Sequence, residues 1–463
     1  MGTEQSATVG SPTVATAGQR PSPAMGSRRG TLQPSRREFL LGAAAAVAAA
    51  PHIVPASAFG AEGAAPPSDR IAMGFIGVGG QGGGHLAGGA WTYLPGGYLA
   101  RDDVQVLAVC DVVRSKREGL TKRVNDHYAS KLAKGSYRAC EAYADFRDVL
   151  ARPDIDAVLI ATPEHWHGVM ATMAARAGKD IYCEKPVALS IREGRAMADA
   201  VRRYGRVYQA GTQQRSEYGG KFRFACELVR SGRVGQLQKV YGYATCGMGF
   251  LPEGGPPGAK GTPVPDGFDW ELFLGPARWA PHGAGPTYFG SGGGDTNWSP
   301  HHYDIAQWGM GTDATGPVEI FHEDGTLAYR YASGVMLYAC PYPGEGWGPG
   351  RVCFVGTEGR VTVDRDTFFT VPASIGAQPI GANDVHLYSS NSHSGNFLDC
   401  VRTRKKTICH EEIAHRAISV ILLGGIANLL RRPLKWDPQK EQFINHPDAN
   451  RMLGVAMREP WRL

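Results

Sequence analysis

The apolar run Ile71–Ile76 leads directly into Gly77-Val78-Gly79-Gly80-Gln81-Gly82, and this adjacency constrains the fold more than any other feature of the chain. A strand that ends in G-x-G-x-x-G and opens a helix is the phosphate-binding turn of a dinucleotide fold. Gly77 permits the tight turn, Gly79 lets a pyrophosphate approach the backbone, and Gly82 lets the helix lie close to the strand. Unpaired N–H groups at the helix start then bind phosphate. The chain holds 62 glycines, so the pattern draws its weight from its place between strand and helix. A second strand over 104–110 ends in Asp111, where an acid hydrogen-bonds the adenosine ribose and disfavours a 2′-phosphate, so NAD is expected in preference to NADP. The spacing from the glycines exceeds the customary separation of about twenty residues, which calls for an insertion near 91–101. Arg114 and Lys116 also stand within reach of a phosphate, and Asp111 equally suits a helix N-cap.

The next two units repeat the rhythm. Residues 157–161 form an apolar strand ending at Thr162-Pro163, then Glu164-His165-Trp166-His167 and a helix through Ala177, closed by Gly178. Residues 180–183 form another strand, ending at Glu184-Lys185-Pro186. Strands alternating with helices predict an α/β fold with a doubly wound parallel sheet, whose ligands collect at the carboxyl ends of the strands. Gly77, Asp111, Thr162 and Lys185 all fall at such ends. A helix over 191–204 and a strand over 207–210 complete this part. Beyond Gln213, the segments 237–244, 318–321, 334–339, 352–355 and 360–363 read as strands without intervening helices, which predicts an open antiparallel or mixed sheet. The stretch 268–295, rich in Gly, Pro and aromatics, is expected to be a loop over the cleft. The organisation expected is a leader over 1–68, a nucleotide-binding domain over 69–212 and a second α/β domain over 213–463.

The leader carries its own signal. Ser35-Arg36-Arg37-Glu38-Phe39-Leu40-Leu41, the apolar run 40–50 and the small-residue site Ala56-Ser57-Ala58 occur in the order of a twin-arginine export signal with cleavage near Ala58. The run is too short for a stable membrane anchor. Export to the periplasm through the twin-arginine machinery follows as the expectation. Of the formal charge of +6, three units lie in 1–58, which holds five Arg against Glu4 and Glu38. The remainder argues for no polyanion, and the short basic cluster 402–406 reads as a solvated turn rather than a nucleic-acid patch. The nine cysteines are scattered without a C-x-x-C pair, so neither a zinc knuckle nor a disulfide framework is indicated, and Cys110, Cys183 and Cys353 read as packing residues.

Taken in order, the glycine turn, the strand ending in Asp111, Ala161-Thr162-Pro163 with His167, Cys183-Glu184-Lys185-Pro186, Gly211-Thr212-Gln213-Gln214-Arg215, His301-His302-Tyr303-Asp304 and Leu434-Lys435-Trp436-Asp437-Pro438 resemble the Gfo/Idh/MocA oxidoreductases. The resemblance implies a Rossmann domain, a C-terminal α/β domain with a large open sheet, a nicotinamide cofactor, sugar or cyclitol substrates and homo-oligomers. It assigns the cofactor to Gly77, Val78, Gly79, Gly80, Gln81, Gly82, Asp111, Thr162, Pro163, His167, Glu184 and Lys185. Oxidising a secondary alcohol needs a base within reach of the hydroxyl. His301 stands where the family's catalytic histidine does, with Lys185 holding the reacting oxygen. Asp304 is expected to orient the ring or meet a substrate hydroxyl, and Gln213, Gln214, Arg215 and His302 are further substrate candidates. Many members have Asp four residues before the histidine where this chain has Asn297, which predicts a lower pKa for His301. The histidine pairs 165/167 and 301/302 lack accompanying ligands, so no metal is expected.

Overall fold

The computed structural model describes residues 69–89, 92–131, 138–242, 260–283, 294–344 and 350–463, with the side chains of 131 and 294–297 outside the description. The expected export signal, the expected leader and part of the 91–101 insertion lie outside the described residues. Six parallel strands, β1 (Ile71–Ile76), β2 (Val104–Cys110), β3 (Glu141–Tyr143), β4 (Ala157–Ile160), β5 (Asp180–Cys183) and β6 (Tyr208–Ala210), assemble in the order β3-β2-β1-β4-β5-β6. That is the Rossmann order, with the chain reversing direction between β1 and β4. Strands β4 and β5 are buried along their whole length, which is why they read as unbroken apolar runs.

Helices α1 (Gly80–Ala87), α2 (Arg114–Lys131), α3 (Phe146–Ala151), α4 (His167–Arg176) and α5 (Ile191–Arg203) make the crossovers. Helix α4 ends where expected, with Gly178 at φ +78°. Helix α5 starts on Ser190, whose hydroxyl accepts from the Glu193 N–H at 3.3 Å while the Glu193 carboxylate accepts from the Leu189 N–H at 2.9 Å. Gly168 of α4 lies against that carboxylate so closely that a Cβ there would meet Oε1 at 2.5 Å. Burial pushes the Glu193 carboxyl up from 4.5 to about 7, against the backbone N–H groups that favour its charged form. A carboxyl raised on folding gives stability that is full below pH 4.5 and is lost as pH rises through 7. Glu193→Gln should therefore stabilise the fold at pH 8 by roughly 1–3 kcal/mol and have little effect at pH 4.5. Melting curves across that range check this; an equal shift at both ends would refute it.

The second sheet has nine strands: β7 (Leu237–Gly242), β8 (Glu319–Glu323), β9 (Thr326–Arg330), β10 (Met336–Tyr338), β11 (Val352–Gly356), β12 (Arg360–Val363), β13 (Phe368–Val371), β14 (Leu434–Asp437) and β15 (Gln442–Phe443). Their order is β13-β12-β11-β7-β10-β9-β8-β14-β15, with only β7 and β10 parallel. This is the mixed, mostly antiparallel sheet expected. The expectation of no helices among these strands is corrected: after α6 (Lys221–Arg230), α7 (Trp270–Leu274) and α8 (Gly294–Met310) both fall between β7 and β8. Helix α8 packs against β7, β11 and α6, while α9 (His393–Thr403) and α10 (Glu411–Leu430) follow later. Helix α10 is long and apolar enough to cross a membrane, but most of it is buried between α5 and α8 as a core helix.

Candidate active site

The glycine turn has the geometry its composition requires. Gly77 has φ +79°, and a Cβ there would strike the Ala161 carbonyl at 2.7 Å; one on Gly82 would overlap the Gly77 carbonyl at 1.9 Å. A Cβ placed on Gly80 would meet nothing within 4 Å, and one on Gly79 would lie 3.8 Å from the Lys116 ammonium, so this stretch of backbone is open where a pyrophosphate would lie. The Asp111 carboxylate is held by two backbone donors, with Val78 N–H at 2.9 Å and Val113 N–H at 2.8 Å. Each oxygen keeps a lone pair for a ribose hydroxyl. Gly77, Gly79, Asp111, Val113 and Lys116, with Thr162 and Pro163, line a cleft of about 500 Å³. A cradle that excludes side chains at two glycines and presents a fixed carboxylate fits a dinucleotide.

One wall of the cleft is a strap from the second half of the chain. Gly267 accepts from the Arg114 N–H at 2.8 Å, and the Asp269 N–H donates to Val112 at 3.1 Å. Phe268, Leu272 and Phe273 then face the cavity. The strap is tied to the Rossmann side by the His165 ring, 2.9 Å from the Phe273 carbonyl, and by the Trp166 indole N–H, 3.1 Å from the Leu272 and Phe273 carbonyls. Behind it, Arg458 donates to the Gly275 and Glu271 carbonyls at 3.0 Å, and Trp461 packs edge-on against Trp166 with centroids 4.6 Å apart. Residues 268–283 thus form a helix-containing wall of the cleft; 284–293 lie outside the described residues.

At the end of β5, Glu184 is buried and bound on Oε1 by the His85 ring at 2.8 Å and the Gln213 amide at 3.1 Å. Gln213 also reaches Tyr182 Oη at 3.1 Å. Burial pushes the Glu184 carboxyl up, but the His85 hydrogen bond and the nearby charges outweigh it, leaving the group below its ordinary value. Lys185 is mostly enclosed, and burial lowers its ammonium from 10.5, with Arg365 adding to the effect and Glu184 and Glu164 opposing it. His167 is a clamp: its two ring nitrogens lie 2.7 Å from the Pro186 carbonyl and 2.8 Å from the Thr162 carbonyl, joining the two strand-end turns. Burial holds it below its ordinary pKa. The side chain serves the shape of the site rather than lining the cleft.

Helix α8 brings His301 to this place. The ring is buried, Nδ1 has no hydrogen-bond partner among the described residues, and burial followed by the charges of Lys185 and Arg365 drives its pKa well below 6.5. Trp298 stacks parallel to His302 at 6.1 Å and lies 6.5 Å from His301. His302 is lowered to about 3 by burial and Arg365. Asn297 lies on the same helix, with its side chain outside the description.

The turn Gln213–Arg215 braces each part in succession. Gln213 holds Glu184; the Gln214 amide donates to the His301 carbonyl at 3.3 Å and accepts from Arg365 Nε at 3.2 Å. Arg215 makes a two-point pair with Asp304, at 2.8 Å and 2.7 Å, and a second with Asp313, at 2.9 Å and 2.8 Å. Arg215 and Asp304 are thereby occupied with each other, so Asp304 does not orient the His301 ring and Arg215 is a buried clasp on α8. The sequence reading did not identify His85 or Arg365. No short motif marks either, since their partners lie 99 and 151 residues away.

Fold and site together define a two-domain protein with an NAD(P)-binding Rossmann domain. Residues 71–212 match the family model of the Gfo/Idh/MocA oxidoreductases, NAD-binding Rossmann fold, and residues 380–463 match the C-terminal alpha/beta domain of the same family. Both segments are thus similar to that family. The chain is 30% identical over 177 residues to a glycosyl hydrolase family 109 protein of Shewanella, covering 37% of this chain and 34% of that one. An uncharacterized oxidoreductase of Bacillus subtilis is 35% identical over 116 residues, 25% of this chain and 33% of that one. The match thus spans about a third of the length of these curated relatives. Among solved structures, an aldose-aldose oxidoreductase from Caulobacter crescentus shares the fold with TM-score 0.52 at 18% identity, over 79% of this chain and 99% of that one. A scyllo-inositol dehydrogenase from Lactobacillus casei does so with TM-score 0.50 at 17% identity, over 79% and 98%.

Proposed function

We propose that the protein is an oxidoreductase that moves hydride between a secondary alcohol of a sugar or cyclitol and a tightly held nicotinamide cofactor, NAD in preference to NADP. The observation that carries this reading is that one turn braces both halves of the site: Gln213 holds Glu184 beside Lys185 at the end of a Rossmann strand at 3.1 Å, and Gln214 holds the His301 carbonyl from the other half of the chain at 3.3 Å. A bound nicotinamide would supply the hydride acceptor. His301 is neutral at pH 7, the form a base needs, and takes the hydroxyl proton. Lys185 holds the same oxygen and stabilises the charge that develops on it. The ordered Asp111 carboxylate supports NAD, because a 2′-phosphate there would meet a like charge. Export through a twin-arginine signal is part of the proposal; outside the cytoplasm free dinucleotide is scarce, and the strap across the cleft supports a retained cofactor. Association of copies through the second sheet is part of the proposal.

The similarity to glycosyl hydrolase family 109 proteins favours a second reading, in which transient oxidation acidifies a neighbouring C–H, elimination releases the aglycone and reduction closes a redox-neutral cycle. Denaturing the purified protein should release NAD, and sugars and glycosides added to the native protein separate the readings. An oxidised sugar with reduced cofactor supports the dehydrogenase, whereas free aglycone without net reduction supports the second. Release of no dinucleotide, together with no binding of added NAD or NADP, refutes both.

A further inference from the structure

The strap is registered on the residues that follow Asp111. Val113 and Phe268 form an antiparallel bridge, flanked by the bonds from Arg114 N–H to the Gly267 carbonyl and from Asp269 N–H to the Val112 carbonyl. Gly267 has φ +78°, and a Cβ there would lie 3.1 Å from the Arg114 Cβ, so the two segments meet backbone to backbone. An acid at the position of Asp111 takes the adenosine ribose, so this register sets Phe268, Leu272 and Phe273 along the adenosine end of the cleft. Phe146 and Trp166 line the same cleft from the Rossmann side. One turn, residues 458–461, grips both walls from behind. Arg458 donates its backbone N–H to the Pro276 carbonyl at 3.0 Å and its guanidinium to the Gly275 and Glu271 carbonyls, and it pairs with the Glu271 carboxylate. The Trp461 ring lies edge-on to Trp166 and 6.0 Å from Phe146, with the Arg147 guanidinium 5.2 Å from its centre. Arg458 thus fastens the strap, while Trp461 backs the two aromatics of the opposite wall.

We propose that the adenosine half of the dinucleotide is enclosed in an aromatic slot shared by the two halves of the chain, and that Arg458 and Trp461 are positioning residues that keep this slot closed and set how long the cofactor stays bound. A purine presents a flat π-face on each side, and rings lining a slot hold it only while their spacing is kept. Taking away the backing of either wall lets the slot widen. The glycine turn is shaped by its own backbone and does not depend on these two residues, so the loss falls on the adenosine end and appears in the rate of release. The proposal rests on the cofactor part of the reading above and not on its hydride chemistry, and the test separates the two.

The full chain is loaded with radiolabelled NAD, and release is followed during a chase with unlabelled NAD. Calorimetry measures NAD and ADP-ribose, which keeps the adenosine half and lacks nicotinamide. Trp461→Ala and Arg458→Met should each release NAD about tenfold faster, and ADP-ribose should weaken by the same factor as NAD. Trp461→Phe should restore most of the retention, since a ring again backs Trp166, and Phe268→Ala should weaken ADP-ribose by opening the slot itself. Melting curves of the unloaded variants establish that they are folded. Native release rates in folded Trp461→Ala and Arg458→Met, or weakened NAD with ADP-ribose unchanged, overturn the proposal and leave the oxidoreductase reading standing. Retention that depends on Trp461, in a protein whose cofactor no sugar reduces, upholds the slot and defeats that reading instead. A native protein that takes up neither NAD nor ADP-ribose overturns both.

Discussion

Lys185→Ala should lower kcat by about a thousandfold while leaving the dinucleotide bound, because the substitution removes a cation from the reacting oxygen without touching the glycine turn. The ammonium adjoins the buried Glu184, and burial lowers its pKa from 10.5, with Glu184 and Glu164 opposing the shift. Lys185→Arg should rescue only in part, since a guanidinium restores the charge but spreads it over a planar fork that cannot take the place of a compact ammonium. The same arrangement sets the pH profile: with His301 held well below 6.5, the acid limb of kcat/KM should lie below pH 6.5. Single-turnover reduction of the retained cofactor measures both. Near-native turnover in Lys185→Ala would move the chemistry to another site.

Breaking the clasp at Arg215 should be the most damaging change to the fold. Arg215 and Asp304 each expose 1% of their side chains, and the guanidinium also stacks 4.8 Å from the Trp308 ring. Removing one member of such a pair strands a desolvated charge, which costs roughly 3–5 kcal/mol. Arg215→Met should lose about that much in urea unfolding. Asp304→Asn should lose less, because Arg215 retains Asp313, whose side chain is 29% exposed and partly hydrated. A double Arg215→Met, Asp304→Leu variant should recover much of the deficit. If Arg215→Met unfolds at the native midpoint, the pair contributes nothing to the fold.

The parts of the site legible in the sequence are those where backbone chemistry dictates residue type locally. Gly77 and Gly82 admit no side chain, Asp111 ends a strand beside them, and Lys185 ends another, so order along the chain was enough to place them. Gln213, Gln214 and Arg215 were conspicuous as residues, but their partners are set by tertiary packing and were not. The carboxylate that Arg215 binds was expected to serve His301. Helix α10 escaped notice because it is apolar on every face, leaving no 3.6-residue period to read. Helix α8, which delivers His301, carries Pro300 and begins at the end of a stretch, 268–295, that reads as a Gly/Pro-rich loop, so no clear helical signal marks its start. The strands β9, β14 and β15 are short, and their register depends on neighbours far away in the chain.

The tie between Trp461 and Trp166 has a consequence for biosynthesis. The glycine turn is made early on the ribosome, the strap opposite it can dock on His165 and Trp166 once residues 267–273 follow, and Arg458 and Trp461, translated nearly four hundred codons after the turn, add the last ties. The wall of the nucleotide cleft is therefore completed in two stages, the second of which waits for the end of synthesis.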